Sequence, residues 1–168
     1  MLILGIDPGT AITGYGLIKA DGNRLTPVEY GALRTRAGDD TATRLSNLHG
    51  DLCSLLKETH PDVVAVEQLF FNTNVTTALA VGQARGVILL AAAQAGIDIV
   101  EYTPLQVKQT VTGNGRATKQ QVAFMVKALL GLKAAPRPDD VSDALAIAIC
   151  HAHMGSTLGK LAQAVKGR

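Results

Sequence analysis

The sequence predicts an α/β fold: a five-stranded mixed sheet, built from a three-strand antiparallel meander plus two parallel strands, with helices on both faces. Three observations lead there. Residues 2–35 hold three strand-like runs separated by tight-turn chemistry. Two short apolar runs follow, at 61–67 and 97–102, each after a segment that reads as helix. At 168 residues, 47% of them apolar, the chain suffices for one sizeable core and has the composition of an ordinary globular domain.

LILGID (2–7) is the first strand, closed by Pro8-Gly9. TGYGLIKA (13–20) is the second, closed by Asp21-Gly22-Asn23, and RLTPVEYGALRT (24–35) is the third. Asp39, Asp40 and Thr41 supply N-cap chemistry for a helix from about Thr43 to His60. Its Leu45, Leu48, Leu52, Leu55 and Leu56 follow helical spacing, and His60-Pro61 stops it. PDVVAVE (61–67) is a short buried strand. Asn72 to Asn74 form a polar break before a long helix from about Val75 to Ala95. IDIVEY (97–102) is the last strand. The remainder reads as helices, interrupted at Gly113-Asn114-Gly115 and at Ala134–Pro138. The order βββ-α-β-α-β-α-α joins a meander to crossovers, which mixes the sheet and covers both its faces.

There is no internal repeat. A single domain is expected over 1–154, leaving 155–168 as a mobile basic tail with little apolar periodicity. Cys53 and Cys150 lie in helical segments flanked by apolar residues, which fits two buried thiols in a reducing compartment. The N-terminus reads as a core strand rather than a signal segment. The longest apolar stretch, Val87 to Ala93, is too short to span a bilayer. The expected setting is cytoplasmic, with no membrane partner.

The net charge of +2 hides an asymmetry. Residues 1–103 carry a net −4 and residues 104–168 a net +6. Residues 104–138 contain six Lys or Arg and no acid. A solvated face would explain a mixed charge run; an acid-free one points to a polyanion, and to nucleic acid in particular.

Four acids stand out against that tract. Asp7 ends the first strand; turn capping would account for it alone. Glu67 ends VVAVE, where packing explains a carboxylate poorly. Asp140 and Asp143 are three apart at a helix start, so they project from one face beside the Val141–Leu145–Ala148 stripe. Dipole complementation would explain either one, and Asp139 competes with Asp140 for the same place. If the first and fourth strands are neighbours, Asp7 and Glu67 lie side by side, and a helix against that edge adds the other two. Clustered carboxylates repel unless cations bind. Hard oxygen donors select Mg²⁺ or Mn²⁺, and two such ions would suit phosphodiester hydrolysis.

The residues GIDPGTAITGYG (5–16), VEQLFF (66–71), GQARG (82–86), QVKQTVTGNGRATKQQV (106–122) and DDVSDALAIAICH (139–151) resemble the RuvC family of Holliday-junction resolvases, within the ribonuclease-H-like superfamily. The resemblance runs in order through nearly the whole chain. It implies a ribonuclease-H-like nuclease domain and a metal-dependent homodimer that makes paired nicks in four-way DNA junctions. It also implies cooperation with a branch-migration motor of the RuvA and RuvB type. Asp7, Glu67, Asp140 and Asp143 fall on the family's metal-binding acids, with two Mg²⁺ expected and Mn²⁺ able to substitute. Some members carry His at the third of these positions; here it is Asp140. Lys108 and Lys119 fall on basic positions that approach DNA, Lys119 beside the reacting phosphate, and Arg116 lies in the same tract. Phe70 matches an aromatic that stacks on a base near the crossover, whereas Phe71 reads as core. Gly82 and Gly86, four apart, allow close approach of a backbone; the family implies a dimer contact there, and packing on the chain's own sheet is the alternative.

GNGRATK lacks the spacing of a Walker loop, so its glycines are assigned to a DNA-contacting turn. His151 and His153 are two apart on a helix and suit no shared zinc site. Two other functions remain open from sequence. A sugar-kinase or actin-like ATPase would share GIDPGT as a phosphate loop, but needs a second domain and loop. A non-enzymatic junction-binding protein would use the basic tract and leave the four acids without a role.

Overall fold

The computed structural model describes residues 1–68 and 75–166, with side chains over 1–68 and 78–155. The strands are β1 (Leu2–Asp7), β2 (Ile12–Asp21), β3 (Arg24–Arg34), β4 (Val63–Glu67) and β5 (Asp98–Tyr102). The helices are α1 (Thr41–Thr59), α2 (Val75–Gln94), α3 (Pro104–Thr112), α4 (Lys119–Leu129) and α5 (Asp139–Lys166). One mixed sheet runs β3-β2-β1-β4-β5. The meander pairs antiparallel, while β1–β4 and β4–β5 pair parallel. This is the five-stranded sheet expected from sequence.

Strand alternation sorts the core into two layers. Leu4, Ile6, Val64 and Val66 face α1 and α2, where they meet Leu48, Leu52, Ile88 and Ala91. Ile3, Val63, Ala65 and Tyr102 face the other way, toward α3, α4 and α5. The same alternation fixes the site. Asp7, Glu67 and Tyr102 end their strands on the parity of this second layer.

Four details differ from the sequence reading. Three helices follow β5, not the two written in the order, because each interruption separates a complete helix. Helix α1 starts at Thr41, since the Asp40 carboxylate accepts the Thr43 amide at 3.0 Å; His60 lies outside it as a left-handed C-cap with φ 44°. Helix α5 continues to Lys166, past the point where the tail was expected to begin. Cys150 is buried, but Cys53 is only half-buried, 3.8 Å from His49 Nδ1. No helix among the described residues is long and apolar enough to cross a membrane.

Helix α5 lies very close to the sheet, and glycines make that possible. A Cβ on Gly14 of β2 would sit 2.0 Å from the Asp140 carbonyl oxygen. One on Gly5 of β1 would sit 2.1 Å from that of Ala144. Both contacts are with backbone, so no side-chain rearrangement would relieve them. The start of β2 is therefore in direct contact with the first turn of α5, and the middle of β1 with the turns that follow.

Candidate active site

Glu67 and Asp7 become neighbours through the register. In the parallel β1–β4 ladder Ile6 pairs with Val66, so the next residues, Asp7 and Glu67, are adjacent. Gly14 pairs with Asp7 on the other side and carries no side chain. The opening beside Asp7 is filled by the start of α5, which brings Asp140 and Asp143.

Two capping boxes position the lysines. Thr103 and Gln106 exchange side-chain and backbone hydrogen bonds at the start of α3, which carries Lys108. Thr118 and Gln121 do the same at the start of α4. Lys119 is the first residue of α4. A cation there opposes the helix dipole, so helix stability does not explain it. Its Nζ lies 3.1 Å from Asp143 Oδ2.

Asp7, Glu67, Asp143, Lys108 and Lys119 line one cavity of about 250 Å³. Asp140 is not among its lining residues, but its charge acts on Asp7. Asp139 is likewise not among them and pairs with Arg137 at 2.7 Å. Arg116 is exposed in the α3–α4 turn, outside the cavity, its amide donating to Asn114 Oδ1 at 3.0 Å. Phe70 and Phe71 lie outside the described residues.

The electrostatics of the cavity are those of uncompensated carboxylates. Burial, then Glu67, Asp143 and Asp140, push the Asp7 carboxyl up to about 8, against a lowering by Lys119. Burial and Asp143 push Glu67 up to about 7, offset in part by Lys119 and Lys108. A hydrogen bond and charge from Asp143 raise Lys119. Such shifts arise when acids are buried and share a site with too little positive charge. The donor set is all oxygen and fits a hard divalent cation. Among the described residues no three acid, His or Cys side chains are gathered tightly enough to enclose an ion as they stand. Asp143 is held by Lys119, which serves as its counter-ion.

Sequence reasoning missed three features around the site. The glycine contacts under α5 were visible as Gly5, Gly14 and Gly16 in the first two strands, but needed the helix to give them meaning. The Tyr102 hydroxyl and His151 Nδ1 are 2.8 Å apart, tying the end of β5, beside Glu67, to α5. Ser142, between the two acids, is buried with an unpaired hydroxyl.

The family model for "Crossover junction endodeoxyribonuclease RuvC" matches residues 3–151. The chain belongs to the RuvC family. It is therefore a nuclease that hydrolyses DNA phosphodiester bonds at crossover junctions. The crossover junction endodeoxyribonuclease RuvC of Desulfitobacterium hafniense is 61% identical over 165 residues, covering 98% of this chain and 100% of the relative. A solved Thermus thermophilus RuvC structure superposes with a TM-score of 0.85 at 38% identity, covering 93% of this chain and 98% of that one. T. thermophilus RuvC in complex with a Holliday junction substrate gives 0.85 at 35% identity, covering 94% and 96%. The fold is ribonuclease-H-like, as the resemblance implied.

Proposed function

We propose that this chain resolves Holliday junctions with Asp7, Glu67, Asp140 and Asp143 holding two Mg²⁺ ions, for which Mn²⁺ substitutes. The observation that carries this reading is the meeting of acids from β1, β4 and α5 in and beside one lysine-lined cavity. When bound, divalent cations supply Lewis-acid activation of water and neutralise developing phosphate charge. The chain's own residues have separable tasks. Asp7, buried and within the field of the other three acids, would supply the central carboxylate of the set. Glu67 and Asp143 flank it, and Asp140 adds charge from the first turn of α5. Lys119 stabilises charge on the reacting phosphate, Lys108 draws the strand toward the acids, and Arg116 contacts the backbone farther out. Phe70 stacks on an unpaired base at the crossover.

Paired nicks need two active sites facing opposite strands, which calls for a two-fold homodimer. The exposed side of α2 supports one. Leu79 and Leu90 are exposed there, and Gly86 between them meets nothing within 4 Å. A branch-migration motor of the RuvA and RuvB type is the further partner the family implies, with the cytoplasm as the setting.

The test is incubation with a synthetic four-way junction, with and without Mg²⁺ or Mn²⁺. Symmetric nicks that require metal are expected. Tight ATP binding without cutting would favour the ATPase reading, and metal-independent binding without cutting the non-enzymatic one.

A further inference from the structure

A second cavity adjoins the first, between the start of α4, the loop before α5 and the first turns of α5. It measures about 100 Å³, and its polar lining is Lys119, Gln120, Arg137, Asp139, Ser142 and Asp143. One water needs roughly 10–15 Å³, so the space admits several waters or a phosphate group. Lys119 and Asp143 line both cavities and form the wall between them.

Ser142 is the residue that packing does not explain. It is only 2% exposed, and its Oγ has no hydrogen-bond partner. A buried hydroxyl left unpaired is destabilising, and alanine would serve the helix better there, as Ala144, Ala146 and Ala148 do on the following turns. The hydroxyl is thus a donor that the fold leaves without a partner, on a residue that lines the cavity.

The charges identify that occupant. Arg137 and Lys119 both line the cavity, and each is held by an acid of the same lining, Asp139 at 2.7 Å and Asp143 at 3.1 Å. Both cations are largely exposed, at 80% and 70%, so exchanging partners costs them little burial. The positive end of the α5 dipole adds to them. Two planar or rotatable cationic donors, a buried hydroxyl and a helix start together suit a phosphate oxygen.

We infer that this cavity is a second phosphate subsite: Ser142 Oγ donates to, and Arg137 pairs with, a non-scissile phosphate next to the one at the acids. The inference rests on the junction-cutting reading above. A strand entering the first cavity passes the shared wall of Lys119 and Asp143, which sets its adjoining phosphate at the mouth of the second. Arg137 then fixes which phosphate along the strand is presented for cutting. Ordered water is the competing occupant.

The test uses four-way junctions in which single phosphates beside the cut are replaced, one at a time, by neutral methylphosphonates. Binding is measured in EDTA so that no cutting occurs. The full-length protein should lose about tenfold in affinity at one flanking position, the worth of a charge-assisted contact. Arg137→Ala should lose a similar factor on unmodified DNA and nothing more at that position, while Arg137→Lys keeps most of the affinity. Ser142→Ala should show the same non-additivity with a smaller loss and an unchanged or higher melting temperature. Losses that multiply at every position would overturn the subsite and assign the cavity to water. Failure of the unmodified protein to bind and cut unmodified junctions would instead sink the junction reading itself.

Discussion

Lys119 Nζ and Asp143 Oδ2 are 3.1 Å apart, so the first residue of α4 is ion-paired to a carboxylate that faces the cavity shared with Asp7 and Glu67. Among the described residues Lys119 is the cation that pairs directly with an acid of this cavity. The pair is largely exposed on the lysine side, so it contributes little to folding. In the proposed reaction its value lies in placing a cation where phosphate charge develops.

Lys119→Ala should therefore lower single-turnover cleavage by roughly a hundredfold or more, the loss typical of one donor aimed at a transition state. Junction affinity should fall far less, since one phosphate contact among several is removed. Rate and affinity measured on the same junction separate the effects. Equal losses would make Lys119 a general DNA contact.

Asp7→Asn should bind junction DNA and fail to cut it. The amide keeps the side chain's size and removes the central charge of the cluster. Affinity should hold or rise, because a negative charge beside the phosphates is gone. A variant that cuts at near the wild-type rate would remove Asp7 from the mechanism.

The metal-free protein should be most stable in mild acid. Asp7 in the folded state titrates at about 8 against an ordinary 3.8, and Glu67 at about 7 against 4.5. The folded state thus holds protons that the unfolded state has released, and stability falls as pH rises from about 4 to 8. Above that window the loss is complete. Melting temperatures in EDTA should decline across it, and Asp7→Asn should flatten the decline and melt higher than wild type at pH 8. Adding Mg²⁺ at pH 7.5 should raise the wild-type melting temperature and release protons, which calorimetry in buffers of different ionisation enthalpy would read. A flat wild-type profile would mean that the acids are neither buried nor crowded in solution as they are here.

Much of this was legible in the sequence because it is local. Period-two and helical patterns give the five strands and the helices, and a strand-ending acid after VVAV is hard to explain by packing. The cap residue Asp40 is a standard helix start. What was not legible depends on contacts between distant segments. Gly14 means little until the Asp140 carbonyl lies over it. The pairing of Asp139 with Arg137, which sets it apart from Asp140, is given by no spacing rule. The α5 extension past Met154 was missed because the periodicity used to recognise a helix fades there.

Phe70→Ala should leave folding and metal binding intact and slow cutting of a fully paired junction. The family resemblance assigns this ring to a base at the crossover, and a stacked base is worth roughly 1–3 kcal/mol. Junctions with pre-unpaired bases beside the crossover should recover much of the rate, since the unstacking cost is already met. A large drop in melting temperature with no such rescue would make Phe70 a core residue instead.

Gly14→Ala tests whether close docking of α5 sets the site. The new Cβ would lie 2.0 Å from the Asp140 carbonyl oxygen and 2.9 Å from the Val141 nitrogen, so the first turn of α5 must move. Overpacking of this kind costs about 1–3 kcal/mol. Gly5→Ala creates a similar clash one turn along, at Ala144, directly after Asp143. The two variants should lose comparable stability. Both should also lose cleavage, Gly14→Ala the more, because its clash falls on Asp140 itself and carries the first turn of α5 away from Asp7 and Glu67. Melting curves and single-turnover rates on both, measured well below their transitions, decide the point. Cleavage near the wild-type rate by Gly14→Ala would show that α5 can shift by that much without disturbing the acids.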